Sequence, residues 1–246
     1  VLEEFSILAL KHLFRSRLSF FLDDRMPPLT SSTSPARPDR PARRPPKRVA
    51  LFAGAYNHIA DGVSLTLNRL VDYLEQQGVA VRVFAPTVDE PAIENHAGTL
   101  IPVPSTPLPG RSEYRLSLGI SPSARKALDD FDPTLYHIAT PDLLGRHALR
   151  RAHATDTPVV ASYHTHFSSY LKYYHLGLLE SPVWSYLRSF YRQCEQVYVP
   201  TAAIGEVLRE HGITDGLRLW RRGVDTNRFS PTHRSHAWGH AHGIQD

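Results

Sequence analysis

Three short stretches gather side chains that can bind a polar, charged ligand. The first, Gly54-Ala55-Tyr56-Asn57-His58-Ile59-Ala60-Asp61-Gly62-Val63, follows an apolar run and precedes a helical pattern. A helix start offers free N–H groups and the positive end of a dipole, which suit a phosphate. Gly62 lets a ligand approach the backbone. The same residues read equally well as a plain helix entry with Asp61 as its N-cap. The stretch contains neither G-x-G-x-x-G nor G-x-x-x-x-G-K-[ST], so it is neither a dinucleotide fingerprint nor a P-loop. The second stretch is Ser162-Tyr163-His164-Thr165-His166-Phe167. A histidine at a strand end, beside hydroxyls and aromatic rings, can hydrogen-bond a polyhydroxylated ligand; a partner in the local backbone would satisfy it as well. The third, Trp220-Arg221-Arg222-Gly223-Val224-Asp225-Thr226, sets two guanidinium groups after a short strand, where they can hold phosphate or pair with Asp225. No Ser–His–Asp order, nucleotide-binding lysine motif or Cys-x-x-Cys accompanies them.

The composition bounds what these stretches can belong to. The 246 residues are 41% hydrophobic and 10% aromatic, enough to bury a core and too apolar for a disordered chain. Cys194 is the single cysteine, which excludes a disulfide-stapled scaffold and fits a reducing compartment. The net charge is +4, but residues 1–48 carry ten basic and five acidic side chains, so the excess lies in the N-terminal arm. A nucleic-acid partner would call for a basic folded face instead, and none is expected. Four histidines, His233, His236, His240 and His242, fall close together near the end. Their type suits a metal, but no flanking element or acidic neighbour would hold a geometry, so no metal is expected.

The elements that must position the three stretches follow from apolar spacing. Residues 1–47 read as a non-core arm: a basic amphipathic segment over 1–25, then a linker holding seven of the 20 prolines. The folded domain is expected over 48–231, with a disordered His-rich tail over 232–246. Val49–Ala53, Val79–Ala85, Thr99–Val103, Leu135–Ala139, Pro158–Tyr163, Gln196–Val199 and Leu217–Trp220 read as buried strands. Helices are expected over 63–74, 121–129, 141–153, 168–178, 182–194 and 202–211. Alternating strands and helices predict an α/β fold, a Rossmann-like open parallel sheet with helices on both faces. In such a sheet ligands bind at the carboxyl ends of the strands, which is where all three stretches fall.

Four segments in order carry a family resemblance: RVALFAGAYNHIADGVSLTLNRLVDYL (48–74), IPVPSTPLPGRSEYRLSL (101–118), ASYHTHFSSYLKYYHLGLLESPVWSYLRSFYRQC (161–194) and LRLWRRGVDTNRFSP (217–231). Taken together they resemble the N-terminal domain of family 4 glycosyltransferases, retaining enzymes of the GT-B fold. The nearest subgroup is the one of sulfoquinovosyl-diacylglycerol synthases and bacterial lipid α-mannosyltransferases. The resemblance implies that His164 is the active-site histidine near the donor sugar. It also implies that Gly62, Asp61, Tyr163, Thr165 and Arg222 border donor or acceptor. Asp61 stands where many relatives carry Asn.

The function implied is transfer of a hexose from a nucleotide sugar, such as GDP-mannose or a UDP-hexose, to a lipid or glycan acceptor. No cofactor or metal is implied. The family's second lobe, with its Glu-x7-Glu motif, is not in this sequence. The chain is therefore expected to be a truncated acceptor-side half with little activity alone, and a separately encoded C-terminal half is a conceivable partner. A cytoplasmic location with peripheral contact to the inner membrane face is expected. The residues also admit a non-enzymatic ligand-binding module, and more remotely a sugar-nucleotide epimerase.

Overall fold

The computed structural model describes residues 47–108, 111–164, 180–221, 223–224, 226–227 and 229–243. Seven parallel strands form one sheet: β1 (Arg48–Phe52), β2 (Ala80–Ala85), β3 (Thr99–Pro102), β6 (Leu135–Ile138), β7 (Val159–Ser162), β8 (Gln196–Val199) and β9 (Leu217–Leu219), in the spatial order β3-β2-β1-β6-β7-β8-β9. A separate antiparallel hairpin, β4 (Ser105–Leu108) and β5 (Arg111–Ser117), lies between β3 and the next helix. The helices are α1 (Gly62–Gln76), α2 (Pro122–Phe131), α3 (Leu143–Ala154), α4 (Glu180–Tyr191), α5 (Ala202–Glu210) and the short α6 (His236–Ala241). The expected α/β architecture, a Rossmann-like parallel sheet flanked by helices, is therefore present. The order reverses between β1 and β6, so the chain leaves one half of the sheet for the other there, the topological switch at which such folds bind ligands.

Strand alternation divides the core in two. Ala50 and Phe52 of β1 point to one face, with Tyr136, Ile138, Val159 and Ala161, and meet α2 to α5. Val49 and Leu51 point to the other, where Leu67 and Val71 of α1 close over Val81 and Val83. On the first face Phe52 stacks between Phe84 at 4.8 Å and Tyr136 at 5.6 Å, tying the neighbouring strands β2, β1 and β6. Trp184 of α4 stacks on His211 at the end of α5, 3.7 Å between rings. Gly145 in the first turn of α3 is obligatory, since a Cβ there would lie 2.1 Å from the Thr140 carbonyl oxygen.

Each α1, α2, α3 and α5 start carries a side-chain cap, from Asp61, Ser121, Asp142 and Thr201 respectively. The β4–β5 hairpin was not expected from periodicity, because prolines at 104, 107 and 109 mask the strand pattern. The helix expected over 168–178 lies outside the described residues. The tail, expected to be disordered, carries a 3-10 turn (Pro231–His233) and α6, neither with a buried residue.

Candidate functional site

The carboxyl edge of the sheet is built around the loop between β1 and α1. Tyr56 is fully buried there, and its hydroxyl donates to the Ala97 carbonyl at 2.8 Å. Asn68 of α1 donates to the carbonyls of Tyr56 (3.0 Å) and Ser64 (2.9 Å) and accepts from Ala97 N (3.1 Å). Ile93 N donates to the Asn57 carbonyl at 3.0 Å. The loop is thus held by neighbours on both sides before any ligand arrives. Asp61 resolves as the N-cap: Ser64 N donates to its Oδ1 at 2.7 Å, and its own backbone is extended. Gly62, the first helical residue, is exposed beside it.

At the switch point, Gly54 N donates to Thr140 Oγ1 (3.1 Å), and Thr140 Oγ1 and Ser117 Oγ donate to Asp142 Oδ2 at 3.1 and 3.4 Å. Asp142 Oδ1 accepts from Gly145 N at 2.8 Å, capping α3. Burial raises the Asp142 pKa against the pull of these donors. A Cβ at Gly54 would come within 3.2 Å of Asp142 Oδ2, which is why the chain narrows there. The composition of the loop gave no hint of Asp142. An Asp directly before an apolar helical run is its only sequence signal.

His164 follows β7 by two residues, and strand alternation sends it, with Ser162, to the α1 side of the sheet, the face His137 also occupies. His137 Nε2 lies 2.6 Å from Ser162 Oγ. Burial, reinforced by nearby His164, pushes the His137 pKa down to about 3, so the ring is neutral. Trp220 packs edge-on against both imidazoles, its ring 5.8 Å from His164 and 6.3 Å from His137, and 6.1 Å from Tyr198. Beside His164 a pocket of about 630 Å³ is lined by Pro200, Thr201, Ala202 and Arg221, so it includes the amino end of α5.

The expected site residues separate. Gly62, Asp61 and His164 reach the same sheet edge. Tyr163 does not: alternation turns it to the opposite face, 2% exposed and packed on Tyr191 at 5.8 Å, where burial raises its phenol pKa. Its assignment to ligand binding is corrected to core packing. Thr165 and Arg222 lie outside the described residues, and Arg221 is the member of the arginine pair that lines the pocket. No group of three or more His, Cys, Asp or Glu among the described residues is arranged to hold a metal ion.

Comparison with known proteins bears on the family and the fold. The model of Glycosyltransferase Family 4 matches residues 60–228. The chain is 33% identical over 194 residues to a sulfoquinovosyl transferase of Arabidopsis thaliana, covering 77% of this chain and 38% of that protein. It is 30% identical over 193 residues to a GDP-mannose-dependent alpha-mannosyltransferase of Corynebacterium glutamicum, covering 77% and 46%. An alpha-monoglucosyldiacylglycerol synthase of Streptococcus pneumoniae is 25% identical, over 74% of this chain and 42% of that protein. The chain thus spans less than half the length of these three relatives. Among solved structures, a sucrose-phosphate synthase from Thermosynechococcus elongatus shares the fold, with a TM-score of 0.60 at 16% identity, over 81% of this chain and 53% of that one. With the family model matched over more than half of its residues, this chain belongs to glycosyltransferase family 4.

Proposed function

We propose that this lobe is the acceptor-side wall of a retaining transferase that moves a hexose from a nucleotide sugar to a lipid or glycan acceptor. The observation that carries the reading is that His164, packed on Trp220, and the β1–α1 loop, tied down by Asn68, both lie at the carboxyl edge of one sheet. The pocket of His164 and Arg221 has the amino end of α5 in its lining, which suits the oxygen-rich donor. The named donors and lipids of the relatives, GDP-mannose and diacylglycerol among them, support the substrate class.

Transfer from a nucleotide sugar develops charge on the leaving diphosphate. Fixed helix termini and cations can stabilise that charge without a nucleophilic triad. His164 would bear on the sugar, and Arg221 on the phosphate side. We infer that no resident cofactor or metal is needed. We also infer that turnover waits for a second lobe opposite this edge, on the same polypeptide or separately encoded. Lipid acceptors imply work at a membrane surface, peripherally and on the cytoplasmic side. Among the described residues no helix is long and apolar enough to cross a membrane.

The test is radiolabelled hexose transfer from GDP-mannose and UDP-glucose to a lipid extract. The chain is assayed alone and mixed with the separately produced second lobe of the Corynebacterium relative. The expected result is no turnover alone, and turnover in the mixture that falls about a hundredfold or more in His164→Ala. Turnover by the chain alone, or a mixture indifferent to His164→Ala, would overturn the proposal.

A further inference from the structure

Three rings on the α1 side of the sheet close a triangle at its carboxyl edge. His137 lies 6.1 Å from Tyr198 and 6.3 Å from Trp220, and Tyr198 lies 6.1 Å from Trp220, each pair edge to face. Strand register brings them together. Tyr198 is paired with Ser162 on one side and with Arg218 on the other, and alternation then sets Trp220, two residues after Arg218, on the same face. Each corner is also pinned by a bond of its own. His137 Nε2 lies 2.6 Å from Ser162 Oγ, the Tyr198 hydroxyl donates to Gln196 Oε1 at 3.1 Å, and Trp220 N donates to the Val199 carbonyl at 2.8 Å.

His164 packs on this frame through Trp220, with ring centroids 5.8 Å apart and planes at 66°. The transfer chemistry gives Trp220 no task. The pocket of His164 and Arg221 does not have it in its lining. Its ring meets His164, while the next residue along the chain supplies the arginine of that pocket. Trp220 also packs against the cluster of Val49, Leu51 and Leu67, and any bulky apolar side chain would fill that space. Meeting three rings at once asks for more, namely the large flat face and long edge of an indole.

A histidine that bears on a sugar must hold its imidazole in one orientation, since misplacement by about 1 Å can cost about a hundredfold in rate. His164 is half-buried, so its orientation depends on what it packs against. Resting on the reading of His164 as the histidine at the donor sugar, we propose that Trp220 is a positioning residue. It passes the rigidity of the His137–Tyr198 pair to the His164 imidazole and fixes that ring at the pocket.

The first arm of the test uses the full chain alone, with ring-labelled histidine. NMR relaxation reads the order of each imidazole, and His164→Ala identifies the His164 signal. Both His137 and His164 should be ordered in the wild type. Trp220→Leu should loosen His164 and leave His137, held by Ser162, ordered; Trp220→Phe, which keeps a flat ring, should recover part of the order. Thermal melts check folding, and Trp220→Met takes the place of Trp220→Leu if that variant unfolds. A His164 ring as ordered in the folded variant as in the wild type overturns the proposal. The second arm measures hexose transfer from GDP-mannose in the two-lobe mixture. Trp220→Leu should lower kcat about tenfold or more and leave KM within about twofold. Combined with His164→Ala it should be no slower than His164→Ala alone, because the two act as a unit. An unchanged kcat, or a loss that multiplies fully onto that of His164→Ala, overturns the proposal. Should the mixture transfer no hexose while the first arm loosens His164, the transferase reading fails and the positioning of His164 by Trp220 stands.

Discussion

The neutral, buried His137 makes stability depend on pH in a calculable way. In the unfolded chain its imidazole titrates near the ordinary value of about 6.5. In the folded protein burial holds it at about 3. Below pH 6.5 the unfolded chain therefore binds a proton that the folded chain refuses. The stabilising contribution is complete above pH 6.5 and is lost as pH falls toward 3. Between pH 7.5 and pH 5 the loss from this one ring is about 2 kcal/mol. With a urea slope of about 2 kcal/mol per molar, the midpoint moves down by about 1 M. His58, whose pKa is also lowered, adds in the same direction. The assay is urea unfolding followed by tryptophan fluorescence at both pH values, for wild type and His137→Gln. Glutamine retains an amide able to meet Ser162 Oγ, and it does not titrate. The His58 contribution is common to both proteins and cancels in the difference. The expected outcome is a variant less stable at pH 7.5 whose further loss on acidification is smaller by about 2 kcal/mol. Equal losses in the two proteins would refute the reasoning and mean that His137 takes up its proton without unfolding.

Three further outcomes follow from particular contacts. Gly145→Ala pushes a methyl group to 2.1 Å from the Thr140 oxygen and 2.8 Å from Ile138 Cγ2, and should cost about 3 kcal/mol by chemical denaturation. Asp61→Ala removes the cap of α1 and should cost about 1 kcal/mol, whereas Asp61→Asn keeps a capping oxygen and should lose much less, as read by the same denaturation curves. Cys194 is buried with its thiol pushed up to about 12, so a thiol-specific chromophore should react at pH 8 only after denaturant is added. Rapid reaction in the native protein would contradict that placement.

The α/β sheet was legible because it is a matter of local pattern. Apolar runs such as Val49–Ala53 and Val79–Ala85, punctuated by helical spacing over 63–74, allow few other arrangements. The crossings between parallel strands then have one favoured hand. The place of His164 and Gly62 at the carboxyl edge was legible because it follows from strand ends and helix starts, where such sheets bind ligands. The hairpin was not, since a proline-rich stretch reads as a loop, and only the bond from Ser117 to Asp142 shows that it reaches the edge. Tyr163 was expected beside a ligand because the family resemblance implied it, while the side of the sheet it occupies depends on the register of β7 against β6 and β8.

The sequence by itself determined the seven parallel strands, the main helices between them that the structure describes, and their order, all of which depend on neighbours along the chain. The tertiary structure alone decided which face His137, Ser162 and His164 share, that Trp220 packs on both imidazoles, and that Asp142 accepts from Thr140 and Ser117 while Gly54 donates to Thr140. Apart from the local Thr140–Asp142 bond, these contacts join residues separated by 25 to 86 positions. No local preference encodes them; they exist because the two faces of one sheet must each be buried, and that burial selects the partners.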